Sequence, residues 1–319
     1  MRTVLRRPLP LLLAGVLLCA GCTSSSRGTE NPEPAGTGQA AVSPEAPAHS
    51  AMIDGLTRTW SVYSPPAVAD DPAAPLLLVM HGTGDTGQGI RTGIGPDLER
   101  LADRDGFRVA YVDGYENNWN ECRVEGDWPA KEQGLDDVGF MRAVVAELGA
   151  TGPVHALGFS SGGHMAMRLA LEAPDLVDGV AVVAANPPAP DNQSCADAGE
   201  AVPVMFLQAR EDRINPVDGG EVSVGSGPFA RSRGEVVSAA DGARWYAERN
   251  GIVGPAPKAV RDGDAETTTW NGDHPVRLVV VDHAGHSFPT LSGRWGQDGG
   301  ARYDGPGEIW RYLATVNHG

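Results

Sequence analysis

Six short runs dominated by apolar residues recur along the chain, at 76–80, 107–112, 153–157, 179–184, 202–207 and 276–281. Runs of this kind, mostly apolar rather than alternating, predict strands buried on both faces, as in a parallel sheet. Residues 57–63 do alternate and predict an edge strand. Helical patterns fill the gaps. A helix is predicted over 96–105, with Pro96 in its first turn and Gly106 as its stop. Asp136 and Asp137 cap a helix over 138–148, where Phe140, Met141, Val144, Val145 and Leu148 share a face and Gly149 ends it. Residues 161–172 follow, with Met165 and Leu169 on one face. Ser238 and Asp241 form a capping box for 239–249, and 308–316 is the last helix. Alternating strands and helices predict an α/β fold, a mostly parallel central sheet with helices on both faces. No separate lid domain is needed, and 185–200 is the main irregular insertion.

The first fifty residues lack this patterning. Arg2, Arg6 and Arg7 precede an apolar stretch at 9–18 that is too short to span a bilayer as a helix, and Ala20-Gly21-Cys22 closes it. Small residues directly before a cysteine read as a bacterial lipoprotein signal over 1–21, with Cys22 as the lipid-bearing first residue of the mature chain. Cys19 stands three before Cys22 in place of the usual aliphatic residue, so ordinary secretory cleavage nearby is the alternative. Residues 22–50 are mostly Ser, Thr, Gly, Pro, Ala and Glu, the composition of a disordered tether. The folded domain is therefore expected over 51–319. Either cleavage predicts export, to the cell surface or beyond, with membrane contact only through the N-terminal lipid. The formal charge of -16 becomes -19 once Arg2, Arg6 and Arg7 are removed. With no basic stripe, nucleic acid and anionic headgroups are poor partners.

The candidate chemistry centres on Ser160. It lies in Gly158-Phe159-Ser160-Ser161-Gly162, between the run at 153–157 and the helix at 161–172. Strand, G-x-S-x-G, helix is the nucleophile elbow of an α/β-hydrolase. The flanking glycines allow a turn too tight for a Cβ, and the serine hydroxyl is presented above the sheet. The run at 76–80 ends in His81-Gly82-Thr83-Gly84, placed to supply an oxyanion donor from the Thr83 N–H beside that of Ser161. Asp212 follows the run at 202–207, and His283 and His286 follow that at 276–281. Ser, then Asp, then His is the chain order of α/β-hydrolase triads. Glu211 and Asp218 are alternatives for the acid and His283 for the base, while His164 reads as a packed or surface histidine and His81 as a support for the oxyanion loop. Once Cys19 and Cys22 are assigned to the export signal, Cys122 and Cys195 remain. Both follow sheet strands, so their loops share the edge where the site lies, and an exported chain predicts a disulfide between them, two free thiols being the alternative. The histidines do not group at metal-ligand spacing and no G-x-G-x-x-G follows a strand, so neither metal nor nucleotide cofactor is expected.

From Trp60 onward the chain resembles the secreted esterases that include polyhydroxybutyrate depolymerases, feruloyl esterases and acetylxylan esterases. The segments that carry the resemblance are LLLVMHGTGDTGQGI, LADRDGFRVAYVDGYENNWN, DDVGFMRAVV, GFSSGGHMAMRLALEAPDL, VPVMFLQARED with NPVDGG, RWYAERNG and AGHSFP. The resemblance implies Ser160 as nucleophile, Asp212 as acid and His286 as base of a serine esterase without a cofactor. It implies a polyester oligomer, hydroxycinnamoyl ester or acetyl ester as substrate. Thr83, Ser161 and Gln208-Ala209 depart from common residues at their positions. Trp119 and Trp128, in the Cys122 loop, are candidates for an aromatic wall against a phenolic or sugar substrate, with packing under a long loop as the alternative. A peptidase or thioesterase of the same fold and a catalytically silent lipoprotein that binds polymer or glycan are the competing functions.

Overall fold

The computed structural model describes residues 48–225, 230–255, 257–291 and 303–316. The expected export signal over 1–21, Cys22 and most of the expected tether lie outside the described residues. The sheet begins before the boundary expected at residue 51. Strand β1, Ala48–Ile53, pairs antiparallel with β2, Leu56–Tyr63, through the tight turn at Asp54-Gly55. The segment predicted as an edge strand is therefore covered on its outer side.

The remaining strands are β3 (Leu76–Met80), β4 (Arg108–Val112), β5 (Val154–Phe159), β6 (Gly179–Val183), β7 (Val204–Ala209), β8 (Gly220–Val224), β9 (Arg231–Val236), β10 (Val260–Asp262), β11 (Ala265–Trp270) and β12 (Val276–Val281). Ten of the twelve form one sheet in the order β1-β2-β4-β3-β5-β6-β7-β12-β11-β10. The inner six, β4 to β12, run parallel, and the outer pairs on each side are antiparallel. Each inner strand came from an apolar run because both its faces are covered.

Alternate residues of these strands feed two separate cores. Leu76, Leu78, Met80, Ala156 and Phe206 pack against helices α3 (Asp137–Glu147), α4 (Ser161–Glu172) and α5 (Ala239–Arg249). Leu77, Val79, Leu157, Val183 and Leu207 pack against α1 (Gly87–Asp105) and α6 (Gly305–Leu313). A short helix α2, Pro129–Glu132, completes the set.

Helix α1 starts nine residues earlier than expected and carries Pro96 in its interior. A buried apolar face at Ile90, Ile94, Leu98 and Leu101 continues through the proline and outweighs the lost backbone bond. Thr86 caps it, its Oγ1 accepting from the Gly89 N–H at 3.0 Å. Thr86→Ala is expected to cost about 1 kcal/mol of stability, read as a lower urea midpoint at unchanged slope. The predicted stop at Gly106 holds, with φ of 73° in the left-handed region.

Strands β3 and β5 are neighbours, but the chain leaves β3 toward β4 on one side and β5 toward β6 on the other. The loops after β3 and β5 thus part above a crevice at the carboxyl ends of the strands, where α/β sheets bind ligands.

Candidate active site

Ser160 stands at that crevice, between the last residue of β5 and the first of α4. Its φ of 53° and ψ of -118° put a non-glycine residue in a rarely populated region, a conformation that costs about 1–3 kcal/mol. The neighbouring glycines allow it. A Cβ on Gly158 would run into the carbonyl of Gly162, and one on Gly162 would run into the carbonyls of Met80 and His81. The loop after β3 lies equally close, since a Cβ on Gly82 would come 3.4 Å from that of Ser160.

The structure brings Ser160, His286 and Asp212 into one hydrogen-bonded line. His286 Nε2 lies 3.0 Å from Ser160 Oγ, and Nδ1 lies 2.7 Å from Asp212 Oδ2. An ionised carboxylate only accepts, so Nδ1 carries the proton and Nε2 is free to accept from the serine hydroxyl. Asp212 is buried, and its other oxygen accepts from the Ile214 and Asn215 N–H groups at 2.8 Å each. The rivals are placed elsewhere. His283 is exposed and pairs with Glu211 at 3.3 Å, and Asp218 is exposed.

Thr83 lines the cavity with Ser160, and Ser161 opens α4, whose N-terminus favours negative charge. Among the described residues neither backbone N–H has a protein acceptor. His81 braces this loop from within. Its Nδ1–H donates to the Gly82 carbonyl at 2.8 Å, and its Nε2 accepts from the Gly114 N–H at 2.9 Å. Burial lowers its pKa from the ordinary value, in keeping with a neutral ring.

Trp119 and Trp128 do not line the cavity. Both are buried, and both indole N–H groups are tied to backbone: Trp119 donates to the His81 carbonyl at 2.9 Å and Trp128 to the Trp119 carbonyl at 2.6 Å. Of the two readings the sequence leaves open, packing is the one observed: the indoles form a post beneath the loop after β3. Arg58 and Asp137 anchor that post, a pair with no sequence signal. Arg58 Nη2 donates to Asp137 Oδ1 at 2.6 Å, and Asp137 Oδ2 accepts from the Asn120 N–H at 2.6 Å.

Cys122 and Cys195 form a disulfide. It joins the loop after β4 to the 185–200 insertion, and backbone bonds on either side make a short pairing: Val124 N–H to the Asn192 carbonyl at 2.8 Å and Ser194 N–H to the Cys122 carbonyl at 2.7 Å. The insertion is ordered by Asn192, whose side chain accepts from the Glu125 N–H and donates to the Arg233 and Glu235 carbonyls, each at 3.0 Å. Those carbonyls belong to a hairpin, β8 and β9, that stands apart from the main sheet. Val222, Val224 and Arg233 project from it into the cavity, whose volume is about 450 Å³. Buried His164 also reaches the cavity from α4. Among the described residues, no group of three or more His, Cys, Asp or Glu is placed to hold a metal ion, and no helix is long and apolar enough to cross a membrane.

The sequence profile of the alpha/beta hydrolase fold matches residues 75–209. A protein named "Putative esterase NocK", from Nocardia uniformis subsp. tsuyamanensis, is 29% identical over 312 residues, covering 88% of each chain. An acetyl xylan esterase from Aspergillus awamori superposes with a TM-score of 0.55 at 13% identity, over 84% of this chain and 99% of that one. A ferulic acid esterase from the anaerobic fungus Anaeromyces mucronatus superposes with a TM-score of 0.52 at 12% identity, over 88% and 93%. The chain has the α/β-hydrolase fold and is similar, in sequence and in architecture, to esterases built on it.

Proposed function

We propose that this chain is an exported serine esterase that cleaves carboxylic esters through an acyl-enzyme. The observation that carries the reading is the line from Ser160 Oγ through His286 to buried Asp212, set at a strained elbow. His286 Nε2 takes the Ser160 proton as Oγ bonds to the ester carbonyl carbon. The carbonyl oxygen gains negative charge, and the Ser161 and Thr83 N–H groups are the donors on hand to receive it. Asp212 holds the imidazole in the required tautomer and stabilises the imidazolium. The imidazolium then gives its proton to the departing alcohol as the carbon–oxygen bond breaks. Water repeats the sequence, adding to the acyl carbon with His286 as base and releasing the acid and free Ser160. A thioester or peptide fits the same steps, but the named relatives are esterases. The test is turnover of p-nitrophenyl acetate and butyrate, abolished by a serine-directed covalent inhibitor whose adduct maps to Ser160. Turnover that survives full modification would overturn the reading.

Export rests on the segment ending Ala20-Gly21-Cys22 and is supported by the disulfide, a bond that persists in oxidising compartments. With Cys22 lipidated, Cys22→Ser is expected to release the protein from membranes or block its processing. An intact mass of the mature wild-type chain without lipid would overturn the anchor.

A further inference from the structure

The chain carries 41 acidic side chains against 25 lysines and arginines. The cavity beside Ser160 inverts that balance. Arg123, Arg213 and Arg233 line it, against one lining carboxylate among the described residues, Asp85.

Each guanidinium is held differently. Arg123 is only 4% exposed, and its Nε donates to Glu121 Oε1 at 2.8 Å. Among the described residues its terminal nitrogens have no protein acceptor, yet they are not sealed from solvent, so they face the cavity. Arg233 pairs with Asp127, but Arg231 pairs with the same carboxylate, which leaves one acid for two cations. Trp128 supports both inner arginines from behind, its ring 4.7 Å from the Arg233 guanidinium and 5.4 Å from that of Arg123. Arg213, beside Asp212 in sequence, is exposed at the rim and has no ion-pair partner among the described residues. Phe159, Ile214, Val222 and Val224 make much of the remaining wall apolar. Charge facing a partly dry, apolar wall interacts more strongly than the same charge in water. His164 does not add to the positive count, because burial, then Arg123 and His286, holds its pKa well below the ordinary value. Among the described residues its Nδ1 has no hydrogen-bond partner.

We propose that the ester taken by this cavity carries a carboxylate, which seats on Arg123, Arg213 and Arg233 while the ester carbonyl lies at Ser160. Guanidinium forks match planar carboxylates and form charge-assisted pairs stronger than neutral hydrogen bonds. The cavity has room for a small ester with one such group. This specificity rests on the esterase reading, and it excludes a plain acetyl or butyryl ester of a neutral alcohol as the preferred substrate.

Two matched pairs test it on the full chain. p-Nitrophenyl hemiglutarate against p-nitrophenyl butyrate places the carboxylate on the acyl side. 4-Carboxyphenyl butyrate against phenyl butyrate places it on the alcohol. In at least one pair the anionic member is expected to win by about tenfold or more in kcat/KM, mostly through KM. That preference should shrink as NaCl rises to ~0.5 M. Arg213→Gln and Arg233→Gln should each lower the anionic-to-neutral ratio severalfold. Arg213 is exposed, so its variant tests the idea without disturbing a packed site. No preference in either pair, or a preference untouched by both substitutions, would overturn the proposal. Ser160→Ala with p-nitrophenyl butyrate separates the two failures. If that variant is dead while the pairs show no preference, only the anionic specificity falls. If it is active, the esterase reading falls and the specificity with it.

Discussion

Ser160→Ala is expected to lower kcat on p-nitrophenyl butyrate by about ten-thousandfold or more, with the melting temperature nearly unchanged. The substitution removes one oxygen and leaves the Cβ, so the strained backbone at φ 53° and the glycines around it have nothing new to accommodate. What disappears is the hydroxyl oxygen 3.0 Å from His286 Nε2, the atom proposed to attack the carbonyl. His286→Ala removes the base and is expected to cost about as much. Asp212→Asn keeps the shape but replaces an acceptor-only group 2.7 Å from Nδ1 with one that can donate. The imidazole then loses the tautomer in which Nε2 is free, and a loss of about ten-thousandfold follows. Because the three groups act in one proton transfer, the triple variant should be little worse than Ser160→Ala alone. His283→Ala is the control, since that ring is exposed and paired with Glu211. A Ser160→Ala protein with near wild-type turnover would sink the serine mechanism, and a dead His283→Ala would move the base.

How much of this was legible in the sequence depended on the kind of signal. The inner strands are legible as apolar runs because a strand covered on both faces has few polar positions to blur it, here Arg108, His155, Gln208 and Arg277. The elbow was read because its glycines are forced by backbone contacts from Met80, His81 and Gly162, constraints that survive in any packing. Helix α1 was misread at its start because Pro96 is a strong local signal, whereas its buried face at Ile90 and Ile94 is set by tertiary packing. The hairpin of β8 and β9 went unseen. Glu221-Val222-Ser223-Val224 alternates and Gly225 follows, so the turn chemistry was present, but in the sequence it merges into the acid loop. That omission hid Arg233. For the aromatic pair at Trp119 and Trp128 the sequence leaves packing and a cavity wall both open, because indoles that pack and indoles that face a cavity look alike until their N–H partners are known. Arg58 with Asp137 spans 79 positions, a separation over which no spacing rule operates.

The second large effect concerns the bond between Cys122 and Cys195, which closes a loop of 73 residues. In the chain-entropy account a loop of that length restricts the unfolded chain by about 4 kcal/mol. For a domain of this size that corresponds to roughly 8 °C in melting temperature. Reduction, or a Cys122→Ser/Cys195→Ser pair, is expected to lower the melting temperature by about that amount. The loop so closed contains the elbow and helix α4, and the bond itself lies one residue from Arg123. The same treatment should therefore change acyl-chain preference as well as stability, because the Cys122 loop and the Asn192 segment frame the cavity. Backbone hydrogen bonds such as that from the Val124 N–H to the Asn192 carbonyl do not depend on the disulfide, so the reduced protein should keep its fold and part of its turnover at moderate temperature. Thiol alkylation of the denatured, unreduced protein from the exported fraction gives the companion measurement, and neither cysteine should be labelled. Labelling of both would rule the bond out. An unchanged melting temperature after complete reduction would show that the two loops are held by their hydrogen bonds and packing alone.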